Sequence, residues 1–404
     1  MARKGKISLN NVLVFFVYLY IILLPIGTGL AGIIGSISLM NYIAIAIVII
    51  GIAVAAYNGT MIISGNAIPT FLYFVYTITS YLWTSNPGFT WYVATNMVNG
   101  MLFIILNCYD WTESEVKKID TCIIISQIIV YMAVLRNINS MFVYRLNITI
   151  VSTIGIGDFA VGLCLLIAFW MNKAAEASKP YIKILSYLAV ISNLIIILMA
   201  GSRGALAMFF VMAAVWILLG DYKQRTKAVI IIVIITAYLF ITQEFLGFLP
   251  DIIKNRMTLE AIRATNGSGR FNIWRLAFER FTSSNVFNIF FGHGFNSFLH
   301  EISYGSHGGF HDLMAHNAVV QTMIEGGLIG IILMFRMGFH QVRNAWKRKD
   351  TMMLLAVVGL FTAGLSNDMQ VTRIWGMILT LNCLKDGMFQ RQIKSYSING
   401  NDNI

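Results

Sequence analysis

Apolar runs of about 16 to 20 residues follow one another through most of this 404-residue chain, separated by short polar segments. A membrane-crossing helix needs about 20 mostly apolar residues, and only helices or closed barrels satisfy their backbone polar groups in hydrocarbon. The runs fall at 10–27, 40–57, 66–83, 91–109, 121–135, 157–171, 184–200, 204–220, 228–243, 317–335, 352–367 and 374–390. Twelve spans use roughly 240 residues. The chain is 57% hydrophobic and only 12% charged, where soluble domains carry about 25% charged residues. A soluble enzyme, a disordered chain and a secreted disulfide scaffold are excluded. The expected fold is all-α: a polytopic membrane protein of about twelve transmembrane helices.

The net charge of +11 could point to nucleic acid, but in a membrane chain the distribution of bases carries the meaning. With the N-terminus inside, 19 of the 29 Lys and Arg fall in short segments on the cytoplasmic side. Both termini are then cytoplasmic and no nucleic-acid partner is expected. The basic start, Met1 to Lys6, is followed by an apolar run with no small-residue cleavage site, which predicts a retained first span. Cys108, Cys122, Cys164 and Cys383 lie in or beside apolar runs with no metal spacing, so neither disulfide nor zinc is expected.

Ten bases remain on the exterior side: Arg136, Arg145, Arg203, Lys254, Arg256, Arg263, Arg270, Arg275, Arg280 and Arg373. Nine are Arg, whereas 13 of the 19 interior ones are Lys. Arg offers a planar, permanently charged fork that suits phosphate. An exterior face that binds a phosphorylated anion is one reading; loop salt bridges are the other. Three regions follow: nine spans over 1–243, a large exterior loop over 244–316, and three spans with a cytoplasmic tail over 317–404.

The loop holds five of the six histidines. Loops of this length in compact proteins are usually functional. Pro250 and Asp251 predict a helix near 252–264, and Asn266-Gly267-Ser268-Gly269 a turn. A helix over 270–282 aligns Phe271, Trp274, Phe278 and Phe281 as a packing face or a face resting on the membrane. Arg275 and Glu279 stand at i,i+4 and pair, whereas Arg270 opens the helix where free N–H groups favour an anion. The spacing of His293, His300, His307 and His311 with Glu301 and Asp312 fits no metal pattern, so no metal or other cofactor is expected, and several of these His read as surface residues. His316 differs. It is the last polar residue but one before an apolar span, where a neutral imidazole can take a proton from a hydroxyl.

Gly201-Ser202-Arg203-Gly204-Ala205-Leu206 resembles a turn of the O-antigen polymerase and ligase family. Arg270 with Trp274, Phe291-Gly292-His293-Gly294, and His316-Asn317 followed by Glu325-Gly326-Gly327-Leu328-Ile329-Gly330 resemble its long periplasmic loop and next span, in the same order. The resemblance covers about 200–335. Gly157-Asp158 is only loosely similar to a family segment, and nothing is carried over there. The resemblance implies inverting, metal-independent glycosyl transfer from an undecaprenyl-diphosphate-linked oligosaccharide, with Arg on the diphosphate and His at the acceptor. It is thus expected that Arg203, Arg270 and His316 are catalytic, and that Arg203, Arg270, Arg373 and Asn317 bind substrate. The inner membrane, a flippase and a chain-length regulator are the implied setting and partners. Without a metal, charge building on a leaving diphosphate calls for Arg forks, and an Arg at span depth is costly without a task. Glu325 reads as a partner of Arg203 or Arg373, or as a polar residue of helix packing, with the packing role favoured.

Two family readings stand: a polymerase that joins lipid-linked repeats, and a ligase that moves finished polysaccharide onto lipid A-core. The motifs do not separate them; a composition rich in Ile, Asn and Phe favours the polymerase by association. A twelve-span transporter is the reading from another class, opposed by the lack of an internal repeat or a mid-span ionisable pair.

Overall fold

A computed structural model describes residues 8–34, 37–58, 63–88, 90–142, 146, 148–219, 269–303, 314–367 and 372–400. Nine helices cover the N-terminal region: α1 Leu9–Leu23, α2 Leu39–Asn58, α3 Ile68–Thr79, α4 Trp91–Cys108, α5 Glu113–Asn137, α6 Ile156–Gly162, α7 Cys164–Glu176, α8 Pro180–Ala200 and α9 Arg203–Leu218. Three shorter ones follow, α10 Arg270–Thr282, α11 Val286–Phe291 and α12 Phe298–Ser303. The chain closes with α13 Ala318–Lys347, α14 Thr351–Gly364 and α15 Arg373–Gly400.

Eleven of the twelve apolar runs lie on helix, and the run at 228–243 lies outside the described residues. Among the described residues, six helical segments are long and apolar enough to cross a membrane: Leu9–Leu30, Leu39–Tyr57, Glu113–Ser140, Ile156–Glu176, Pro180–Ala200 and Ala318–Lys347. Tyr92–Cys108, Arg203–Leu218 and Thr351–Gly364 are apolar but shorter. Apolar helices of two lengths therefore stand among the described residues. The run at 66–83 forms the 12-residue α3 and a 3₁₀ turn, Ser80–Trp83. At about 1.5 Å per residue α3 is about 18 Å long. The described residues are predominantly helical, as the all-α reading expects, and include one antiparallel pair of short strands, Ala31–Ile34 and Ile37–Ser38. It lies just past α1, where the 3₁₀ segment Leu24–Leu30 ends the helical run.

Local signals explain the boundaries. Thr112 and Glu115 form a reciprocal capping box that starts α5. Pro180 opens α8, and Gly201 ends it in the left-handed conformation (φ 61°). In the core α14 packs against α7 and α9, α15 against α4, and α1 against α2 and α5. Side-chain amides join the buried helices, since an unpaired amide in an apolar interior is costly. Asn193 on α8 donates to Gln127 Oε1 on α5 (2.9 Å), which also accepts from Trp170 Nε1 on α7 (3.2 Å). Gln341 on α13 donates to Thr70 Oγ1 (2.7 Å), and Arg348 pairs with the buried Asp386 (3.2 Å).

Candidate functional site

The helix ends on one side of the bundle enclose a cavity of about 780 Å³. Its lining comes from the C-terminal ends of α1, α8 and α14 and the N-terminal ends of α4, α6, α9, α10, α13 and α15. Four of the five expected site residues meet there: Arg203, Arg270, His316 and Arg373. Asn317 is beside the cavity and is not part of its lining.

The turn after α14 is the hub. The last carbonyls of a helix have no intrahelical partner, and here side chains from the expected motifs take them. Asn317 Nδ2 donates to the Leu365 carbonyl (3.1 Å), and Arg270 Nη1 donates to the Ser366 carbonyl (2.9 Å). Gly204 lies against the Ser366 side chain so closely that a Cβ there would overlap the hydroxyl. The Gly-flanked turn therefore brings Arg203, the first residue of α9, onto the same hub. Arg270 is likewise the first residue of its helix, behind Gly269 in the left-handed region (φ 80°). Helix N-termini and guanidinium groups both favour anions.

His316 has φ 47°, a backbone region that non-glycine residues rarely adopt and that concentrates at active sites. Its neighbours hold it there. The Ala315 carbonyl accepts from Trp274 Nε1 (2.8 Å), and the Ala315 N–H donates to Gln321 Oε1 (3.3 Å). On the other side Asn317 Oδ1 caps α13, accepting from the N–H groups of Val319 (2.9 Å) and Val320 (3.2 Å). Asn317 thus spends its amide on backbone, tying the start of α13 to the turn after α14.

Glu325 is buried. Its carboxylate accepts from Tyr92 OH (2.8 Å) and Gln321 Nε2 (2.6 Å), in keeping with a packing role. Two residues on, Gly327 (φ 60°, ψ −159°) breaks the α13 ladder. The loop Gly292–Gly294 enters the break: the His293 N–H donates to the Ile324 carbonyl (2.8 Å) and the Gly294 N–H to the Glu325 carbonyl (3.0 Å). Two sequence motifs are therefore one interlock. Arg373, also buried, donates to Asn41 Oδ1 through Nη2 (2.7 Å).

Other loop residues are structural. His293 is buried, unlike the surface residue expected, and its ring contacts Ser284 Oγ (2.9 Å) and the Glu301 carboxylate (3.3 Å). Burial pushes the Glu301 carboxyl up, but hydrogen bonds from His293, Ser85 and Arg280 outweigh it and hold it well below the usual carboxylate range. Arg280 pairs with Glu301 at 2.6 Å. Arg275 pairs with Glu279 at 3.8 Å, both exposed. Trp274 and Phe281 pack inward while Phe271 and Phe278 are exposed, so the aromatic stripe divides. Arg145, Lys254, Arg256, Arg263, His307, His311, Asp312, the 252–264 helix and the 266–268 turn lie outside the described residues.

Residues 188–335 match a family model described as O-antigen ligase. The match supports the resemblance to the O-antigen polymerase and ligase family. The matched stretch holds Arg203, Arg270, His316, Asn317 and the Gly292–Gly327 interlock, and it supplies part of the cavity lining. No curated protein matches the chain. Arg373, the hub at Leu365–Asn367 and the Gly155–Asp158 segment lie beyond the match yet line or brace the cavity. Sequence reasoning passed over Asp158, although an ionisable residue at the start of an apolar run is a signal for function.

Proposed function

We propose that the cavity is the transfer site of a polysaccharide polymerase, which joins undecaprenyl-diphosphate-linked oligosaccharide repeats at the periplasmic face of the bacterial inner membrane. The observation that carries this is the convergence of Arg203, Arg270 and Arg373 with the strained His316 in one cavity, with Arg203, Arg270 and His316 inside the family-matched stretch. An O-antigen ligase, as its name says, joins a surface glycan to another molecule. The chemistry of such a transfer fits these residues. Breaking the bond between sugar carbon and diphosphate oxygen leaves the electron pair on the diphosphate, and guanidinium forks stabilise that charge. The acceptor hydroxyl attacks the sugar carbon from the opposite face, which inverts it, and the His316 imidazole takes the hydroxyl proton. No step calls on a metal. The polyprenyl chain stays in the bilayer while the diphosphate enters between the helix ends. Both termini face the cytoplasm in this arrangement, and a flippase and a chain-length regulator are its expected partners.

The ligase reading uses the same residues and the same donor with a lipid A-core acceptor. The glycan ladder after gene loss tests the choice. A single repeat left on the core supports the polymerase, and an intact core without repeats supports the ligase. Substrate transport into vesicles without glycan elongation would return the protein to the transporters.

A further inference from the structure

The short α11 exposes a row of large apolar side chains, Val286, Phe287, Phe290 and Phe291, although it belongs to the segment that hydropathy reads as exterior loop. Contiguous exposed apolar surface of this kind marks an interface. Two observations place it. First, α11 packs on α13, and Phe291 and Gly292 lock into the break at Gly327. Tyr76 on α3 closes the joint, donating from its hydroxyl to the carbonyls of Gly326 (2.7 Å) and Phe291 (3.0 Å). From Gly327 down to Arg336, the first exposed base of α13, is nine residues, or about 14 Å. Upward from Gly327 to Ala318 is a further nine, again about 14 Å. The dock therefore sits near the middle of a span whose ends match a hydrocarbon core of about 30 Å.

Second, the row continues surfaces that already face outward along the spans. On α13 these are Leu328, Ile332, Phe335 and Phe339 at helical spacing, and on α3 Ile68, Leu72 and Val75, leading to Leu82. Trp83 bridges the two groups through edge contacts with Phe287 and Phe291, both at 6.5 Å. The helix α3 is only about 18 Å long, and the 291–297 loop packs on the turn that follows it. The Ser85 N–H donates to the His293 carbonyl (3.0 Å), and the Phe295 N–H donates to Ser80 Oγ (3.2 Å).

We propose that α11 is a re-entrant wedge whose Val286–Phe291 face contacts the acyl chains of the outer leaflet. Its backbone is helical, and at its C-terminal end the Gly292 N–H donates to the Asn288 carbonyl (2.8 Å) and the Phe291 carbonyl accepts from Tyr76 OH (3.0 Å), pairings that a backbone in lipid calls for. The wedge holds the Gly292–Gly294 loop in the α13 break, and through it the start of α13 that carries His316. The inference concerns placement in the bilayer and is independent of which transfer reaction the cavity performs.

Spin labels test it on the purified full chain in phosphatidylethanolamine/phosphatidylglycerol proteoliposomes. Labels are attached in Val286→Cys, Phe290→Cys, Ile332→Cys and Arg275→Cys, with Ile332 as the lipid-facing reference and Arg275 as the water-facing one. At 286 and 290 the account expects collision with oxygen and loss of collision with a water-soluble nickel chelate, matching 332. Labels at both 286 and 290 that meet the nickel chelate as freely as the label at 275 overturn the wedge. Retained water exposure at 275 shows that the loop in each preparation is folded and on the correct side.

Discussion

Adjacent glycines in α13 should respond very differently to alanine. Gly327 has φ 60° and ψ −159°, a region essentially reserved for glycine, and a Cβ there would stand 2.5 Å from the Gly292 nitrogen and 2.6 Å from the Phe290 carbonyl oxygen. Strain of this type costs about 1–3 kcal/mol. Relaxing it by straightening the helix withdraws the Ile324 and Glu325 carbonyls from His293 and Gly294, two hydrogen bonds worth about 0.5–1.5 kcal/mol each. Whether the strain is kept or the two hydrogen bonds are given up, Gly327→Ala is expected to destabilise by about 1–3 kcal/mol. At Gly326 the nearest atoms to an added Cβ are Tyr76 Cε1 at 3.4 Å and Thr322 Cγ2 at 3.6 Å, ordinary contact, and the backbone is helical. Gly326→Ala should be near neutral. Thermal unfolding of both variants in detergent, followed by monodispersity, is the assay. Equal melting of Gly327→Ala and wild type would refute the interlock as a source of order in the site.

Three other outcomes are expected. Arg203→Lys and Arg270→Lys keep the charge but lose the bidentate fork, so polymer formation should fall steeply, while Arg275→Lys, paired with Glu279 on an exposed face, keeps it; glycan ladders at matched protein levels decide. Glu301→Gln should destabilise the loop by about 1–3 kcal/mol at pH 7 through its buried partners. Since the native carboxyl is depressed, its stabilisation is present above the unfolded value of about 4.3 and fades as pH falls through the lower native value, so wild type and Glu301→Gln should converge in acid melts. Reporter fusions near 115, 224 and 345 should read cytoplasmic and one near 280 periplasmic, and a cytoplasmic reading at 280 would invert the orientation of the site.

Much of the helical layout was legible because hydrophobic run length reports bilayer crossing directly. Its limit shows at 66–83: the run is long enough, but Ser80 and the turn after it fold back to receive the 291–297 loop, a tertiary demand that local hydropathy does not encode. The arginines of the site were legible as a bias toward Arg on the exterior, and His316 by its place before a span. What stayed hidden was how they are held. The Leu365–Ser366 carbonyls are backbone acceptors, and backbone acceptors leave no residue signature. Asn317 resembled a ligand for substrate because a cap and a binding amide look alike in sequence. His293 and His316 were indistinguishable by residue type; one is buried against Glu301, and the other is turned into the cavity by its backbone.

In vitro elongation of purified undecaprenyl-diphosphate-linked repeat tests the central claim most directly. Equal amounts of wild type and His316→Gly are compared in proteoliposomes without lipid A-core. Glycine adopts φ 47° without strain, so the fold of the 314–317 segment is kept while the imidazole is removed. The account predicts a ladder of lengthened lipid-linked glycan from wild type and a loss of about 10²–10⁴-fold from His316→Gly, the usual contribution of a general base. Wild-type rates from His316→Gly would contradict the assignment of the cavity as the transfer site.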